Sequence, residues 1–101
     1  NIVKEIITQL KARIHVFKKI LSKTNNLKSV FEIGTNIGLN LDAIKKIQPK
    51  VKTFGIEINE TAYNICKQKG HVIKLGSILN NSINQKFDLV FTRIYVSYNY
   101  I

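Results

Sequence analysis

Two carboxylates and a glycine-flanked turn are the residues of this chain best spaced for chemistry. Glu32-Ile33-Gly34-Thr35-Asn36-Ile37-Gly38 sets an acid and two glycines between an apolar run and a helical pattern. Gly34 permits a sharp turn and close approach of backbone to a ligand, and Gly38 lets the next helix start tightly against a sheet. Asn36 stands where such loops usually carry a middle glycine. Asn tolerates positive φ better than most residues, so the loop survives, although a side chain there disfavours a dinucleotide pyrophosphate. Glu57 follows Gly34 by 23 residues. An acid at about that offset, at the end of a second strand, accepts hydrogen bonds from ribose hydroxyls. Gly76-Ser77-Ile78 offers a hydroxyl and an apolar side chain beside the same crevice, suited to an adenine edge and face. Asp88, at the start of an apolar run, reads as a structural acid pairing a nearby backbone donor.

These residues need a scaffold, and the hydrophobic pattern supplies one. Val3, Ile7, Leu10, Ile14, Phe17 and Leu21 recur at spacings of four and three, which predicts an amphipathic helix over 2–21. Ile2, Ile6, Val16 and Ile20 widen its stripe beyond a coiled-coil seam. Lys4, Lys11 and Lys18 lie on another face, and residues 22–29 form a polar loop. Val30–Ile33, Thr53–Ile58, His71–Leu75 and Phe87–Phe91 read as short strands. Helical spacing over Leu39–Ile47 ends at Pro49. A further helix starts at Asn59, a good N-cap, and stops at Gly70. Residues 76–86 are mostly polar loop. Alternating short apolar strands and helices predict an α/β fold of parallel strands joined by right-handed crossovers. The expected organisation is a single partial domain. A leading helix and loop occupy 1–29, a β-α-β-α-β-β core occupies 30–93, and an atypical tail occupies 94–101.

Composition narrows the class. Ile, Leu, Val and Phe make up about a third of the 101 residues, well above the roughly 20% of disordered chains. No apolar run approaches the ~20 residues of a membrane-spanning helix. The lone Cys66 excludes a disulfide framework and a cysteine zinc site, which leaves the reducing cytosol as the default compartment. The formal charge of +10 invites a nucleic-acid reading. However, Arg, the residue that reads base edges through its fork, occurs only at Arg13 and Arg93. The abundance of Lys, Asn and Ile is that of an AT-rich coding sequence, a bland origin for the charge. His15 and His71 read as structural, and Cys66 as a small buried apolar residue.

The runs VFEIGTNIG, FGIEIN, LGS and FDLVF together resemble the first four motifs of class I S-adenosylmethionine-dependent methyltransferases. A closer resemblance is to the methylases associated with pseudaminic acid biosynthesis. Residues 32–49, 55–59 and 76–77 match their pattern, including Asn36 in place of the broad class's middle glycine. The resemblance implies a Rossmann-like methyltransferase fold, here its N-terminal half, with S-adenosylmethionine as cofactor. It implies that Gly34, Asn36 and Gly38 frame the methionine portion, that Thr35 is among the cofactor-binding residues, and that Glu32 sits beneath the loop near the amino group. It also implies that Glu57 holds the ribose hydroxyls with Ile58 against adenine, while Ser77 and Ile78 line the adenine pocket. Ser77 stands where the class usually has an acid. The implied reaction is in-line methyl transfer to a small molecule or sugar of surface-glycan biosynthesis, resting on proximity and orientation. The resemblance identifies no general base.

The four strands are fewer than the family's seven, the first residue is not Met, and residues 92–101 do not resemble the family's continuation. The expectation is therefore a truncated chain carrying the cofactor half, inactive by itself, with its fourth strand as an exposed edge. Three other readings stand beside it: a methyltransferase of RNA or protein using the basic face, an inactive remnant, and a nicotinamide-dependent dehydrogenase. Asn36 and the missing Gly-x-Gly-x-x-Gly count against the last.

Overall fold

The structure, a computed structural model, describes residues 1–24 and 26–92. Arg93 and the 94–101 tail of the sequence reading lie outside the described residues. The chain opens with helix α1 (Ile2–Leu21), started by Asn1, whose side chain accepts from the Lys4 amide at 2.8 Å. Strand β1 (Ser29–Ile33) leads through a tight loop into helix α2 (Leu39–Ile47). Strand β2 (Lys52–Glu57), helix α3 (Glu60–Gln68) and strand β3 (Val72–Leu75) follow. A single 3-10 turn (Ile78–Asn80) interrupts the predicted polar loop before strand β4 (Leu89–Thr92).

All four strands are parallel, in the order β3-β2-β1-β4. The chain steps outward from β1 to β3, then returns to the far side of β1. The order reverses between β1 and β4, and in open α/β sheets ligands bind outside the carboxyl ends of the strands at such a point. The register sets Ile33 beside Ile56, so the loops after β1 and β2 leave the sheet side by side.

Right-handed crossovers put the helices on one face of the sheet. There Phe17, Leu21, Val30, Leu41, Ile44, Val51 and Cys66 form one buried cluster, with Leu89 and Phe91 packed against it. Phe17 meets Phe91 edge-on at 5.5 Å between centroids. The predicted stripe of α1 is buried only in its lower part. Ile2, Val3, Ile6 and Ile7 are exposed, whereas Phe17 and Leu21 are not. Length explains the difference: α1 has 20 residues and α2 only 9, so α1 runs roughly 30 Å against about 14 Å. On the opposite face Phe87 packs against Phe31 and Phe54, with centroids 4.9 and 5.0 Å apart.

The fourth strand starts two residues later than the sequence pattern predicts. Asp88 is engaged instead in docking the approach to β4 against the start of β1: its Oδ2 accepts from the amides of Lys28 at 2.7 Å and Ser29 at 3.2 Å. The second strand ends at Glu57 rather than Ile58, and His71 lies just outside β3. Among the described residues no helix is long and apolar enough to cross a membrane.

Gly55, in the middle of β2, is required by the loop above it. A Cβ there would lie 2.8 Å from the Glu32 carbonyl oxygen and collide with the Thr35 methyl. Gly55→Ala is expected to lower the unfolding free energy by about 1–3 kcal/mol, the cost of overpacking a filled site, as measured by urea denaturation.

Candidate functional site at the carboxyl ends of β1 and β2

The loop from Gly34 to Gly38 is built by backbone bonds and left-handed residues. The amides of Gly34 and Thr35 both donate to the Ile56 carbonyl, at 2.9 and 3.3 Å, and the Gly38 amide donates to the Thr35 carbonyl at 3.0 Å. Gly34, Asn36 and Gly38 have φ of 78°, 53° and 95°. Asn36 therefore adopts the positive φ that its residue type allows, with its side chain exposed.

Glu57 ties this loop to its neighbour. Its Oε1 accepts from the Asn36 amide at 2.6 Å and its Oε2 from the Asn59 amide at 2.8 Å. Its carbonyl accepts from the Gly76 amide at 2.9 Å, which fixes the start of the third loop. Asn59 also caps α3, accepting from the Ala62 amide at 2.9 Å. A carboxylate oxygen carries two lone pairs, so each oxygen of Glu57 keeps acceptor capacity after these bonds. A cleft of about 440 Å³ opens beside it, lined by Asn36, Ile37, Glu57, Asn59 and Ile65 among others.

The residues singled out from the sequence divide into two groups. Asn36 and Ile58 are exposed beside the cleft end, Ile58 at 72%, and Ser77 and Ile78 are half-buried on the adjoining loop. Ser77 also caps the 3-10 turn, its Oγ accepting from the Leu79 amide at 3.2 Å. Glu32 and Thr35 face inward. Glu32 is 0% exposed, and its Oε2 accepts from the Asn40 side-chain amide of α2 at 2.7 Å. It underpins the loop and presents no surface to the cleft. Thr35 is 2% exposed, its methyl facing Gly55 and its hydroxyl donating to the Asn36 carbonyl at 3.1 Å. The side chain of Thr35, one of the residues expected to bind cofactor, therefore anchors the loop to the sheet.

Ile37, Ile65 and Asn40 were not anticipated as parts of the site. Asn40 had one signal in the sequence, a polar residue in the first turn of an otherwise apolar helix face. Burial pushes the Cys66 thiol up to about 11, so it is protonated near neutral pH and is no nucleophile. Among the described residues no group of three or more His, Cys, Asp or Glu could hold a metal ion.

The donor set fits a nucleoside-bearing cofactor. An acid with free acceptor capacity ends β2, an exposed aliphatic side chain follows it, and α2 begins just beyond the left-handed loop. The positive end of α2's dipole lies there, favouring an anionic group such as a carboxylate.

The fold is that of the Rossmann-like methyltransferases. No protein-family model matches the chain, and no curated protein sequence matches it. Among solved structures, it is similar to the plantazolicin methyltransferase BpumL in complex with a pentazolic desmethylPZN analog and SAH. The identity there is 24%, the match covers 82% of this chain and 34% of that one, and the TM-score is 0.63. The amino pentose methyltransferase CalS10 of Micromonospora echinaspora, solved with SAM bound, matches at 15% identity over 85% of this chain and 36% of that one, TM-score 0.69. A putative caffeoyl-CoA O-methyltransferase from Staphylococcus aureus matches at 27% identity over 77% of this chain and 42% of that one, TM-score 0.63. The chain thus spans well under half the length of these structures.

The left-handed conformation at Asn36 yields a test of the loop. Asn36→Gly is expected to leave stability within about 0.5 kcal/mol, whereas Asn36→Val is expected to cost about 1–2 kcal/mol through its Cβ branch at positive φ. Urea midpoints of the two variants check this.

Proposed function

We propose that this chain is the cofactor-binding half of an S-adenosylmethionine-dependent methyltransferase. The observation that carries the reading is the Glu57 carboxylate, held between two loop amides at the end of β2 with acceptor capacity left over. In this reading Glu57 holds the ribose hydroxyls and Ile58 lies against adenine, with Ser77 and Ile78 completing the adenine pocket. Gly34, Asn36 and Gly38 frame the methionine portion, and Glu32 stiffens the loop from beneath. When bound, such a cofactor supplies a methyl group on a sulfonium centre, which a nucleophile takes by in-line displacement. The work left to these residues is binding and orientation, which contribute through proximity.

The acceptor is proposed to be a small molecule or sugar of pseudaminic acid biosynthesis. Support comes from the sequence resemblance over residues 32–49, 55–59 and 76–77. It also comes from the sugar named for CalS10, an amino pentose. A second reading has one observation in its favour. A cleft of about 610 Å³ at the opposite end of the sheet carries Lys28, Lys50 and Lys52 beside Phe54. Cations and an aromatic face are what a protein uses to hold a single-stranded nucleic acid. A steep salt dependence of RNA binding supports that reading; a flat one removes it.

Calorimetric titration of S-adenosylhomocysteine into the chain tests the primary reading. Glu57→Ala is expected to weaken binding at least tenfold, about 1.4 kcal/mol. No heat from a chain shown by circular dichroism to be folded contradicts it.

A further inference from the structure

His71, just before β3, is 4% exposed and engaged at both ring nitrogens. Its Nε2 lies 2.7 Å from Asp42 Oδ1 on α2, and its Nδ1 lies 2.6 Å from Thr53 Oγ1 on β2. Asp42 Oδ2 also accepts from Lys69 Nζ at 2.8 Å. A carboxylate only accepts, so Nε2 carries a hydrogen, and in the neutral ring Nδ1 accepts from the Thr53 hydroxyl. Burial alone would raise the Asp42 carboxyl, but hydrogen bonds from His71 and Lys69 outweigh it and hold the group below its ordinary value. Asp42 is therefore ionised near neutral pH, the state that keeps this orientation of the ring.

Carboxylate, imidazole and hydroxyl stand here in the order of a nucleophilic triad. Thr53, however, is 3% exposed within the sheet, so no substrate reaches its hydroxyl. What the arrangement does is mechanical. It joins α2 to the amino-terminal ends of β2 and β3. A Cβ on Gly38 would come within 3.2 Å of His71 Cδ2 and 2.7 Å of Cys66 Sγ, so ring edge and thiol form the floor under that glycine. The Asp42 amide donates to the Gly38 carbonyl at 2.8 Å, which links the same residue to the loop a second time.

We propose that His71 is a positioning residue for the cofactor loop, fixing Gly38 and the first turn of α2 through its bond to Asp42. The proposal rests on the methyltransferase reading for its ligand and on the geometry alone for its action. Binding groups need placement to within about 0.5 Å to be effective, and this loop is built on three left-handed residues with Asn36 exposed at its tip.

Two conservative variants separate the arms of the ring. His71→Gln places an amide near Nε2 and keeps the bond to Asp42. His71→Asn places one near Nδ1, keeps Thr53 and falls short of Asp42. Both lose the ring, so a merely structural role moves them alike. The measurements are S-adenosylhomocysteine affinity by calorimetry and amide hydrogen exchange at Gly38 and Leu39 in the free chain. The Gln variant is expected within about threefold of the parent affinity, and the Asn variant at least tenfold weaker with faster exchange at both amides. Equal affinity and equal exchange in the two variants overturn the proposal. Where the Asn variant fails to fold, Asp42→Ala cuts the same bond from the partly exposed side. It is expected to show the same loss and the same faster exchange, and parent-like values for it overturn the proposal. If the parent chain binds no S-adenosylhomocysteine, the methyltransferase reading fails, and the exchange rates alone decide the positioning role.

Discussion

The candidate site depends on one carboxylate bridging two loops. Glu57 accepts the Asn36 amide on one oxygen and the Asn59 amide on the other, so its charge is balanced by backbone donors rather than by a basic side chain. Such charge-assisted bonds are stronger than neutral ones. The loop after β1 is thereby locked to the turn that starts α3, and Asn59 passes the constraint on as the cap of that helix. The register that sets Ile33 beside Ile56 brings these loops close enough for one side chain to span them. Removing the carboxylate would leave two loop amides without an acceptor.

Much of this was legible in the sequence. The 2–21 helix, the Leu39–Ile47 helix and the alternation of strands follow from periodicity, and they reappear as α1, α2 and a parallel sheet. Glycine spacing and the offset to Glu57 located the loops. What the sequence could not carry was orientation. Glu32 and Thr35 belong to the motif, yet both turn inward because strand alternation and the left-handed Gly34 aim them at the sheet. Asp42 and His71 lie 29 residues apart. Their pairing depends on how α2 crosses the sheet, which no local pattern encodes. The start of β4 shifted for a similar reason, since Asp88 bonds to residues 59 and 60 positions earlier.

The two faces of the sheet are unequal. The helices stand on the face of Val30, Leu89 and Phe91, where the buried cluster lies. On the other, Val72, Phe54, Phe31 and Val90 stand in register across all four strands, with Val72 at 61% and Val90 at 55% exposure. An apolar row of this kind is costly to leave in water. The structures with the same fold are longer, this chain covering 34%, 36% and 42% of three of them.

Backbone amide resonances of an isotope-labelled chain, titrated with S-adenosylhomocysteine, locate the site most directly. Shifts concentrated at Gly34, Asn36, Gly38, Ile58 and Ser77 are the predicted result, because the ligand then occupies the carboxyl ends of β1, β2 and β3. Shifts confined to Lys28, Lys50 and Lys52 at the opposite end of the sheet, or none from a folded chain, would contradict it.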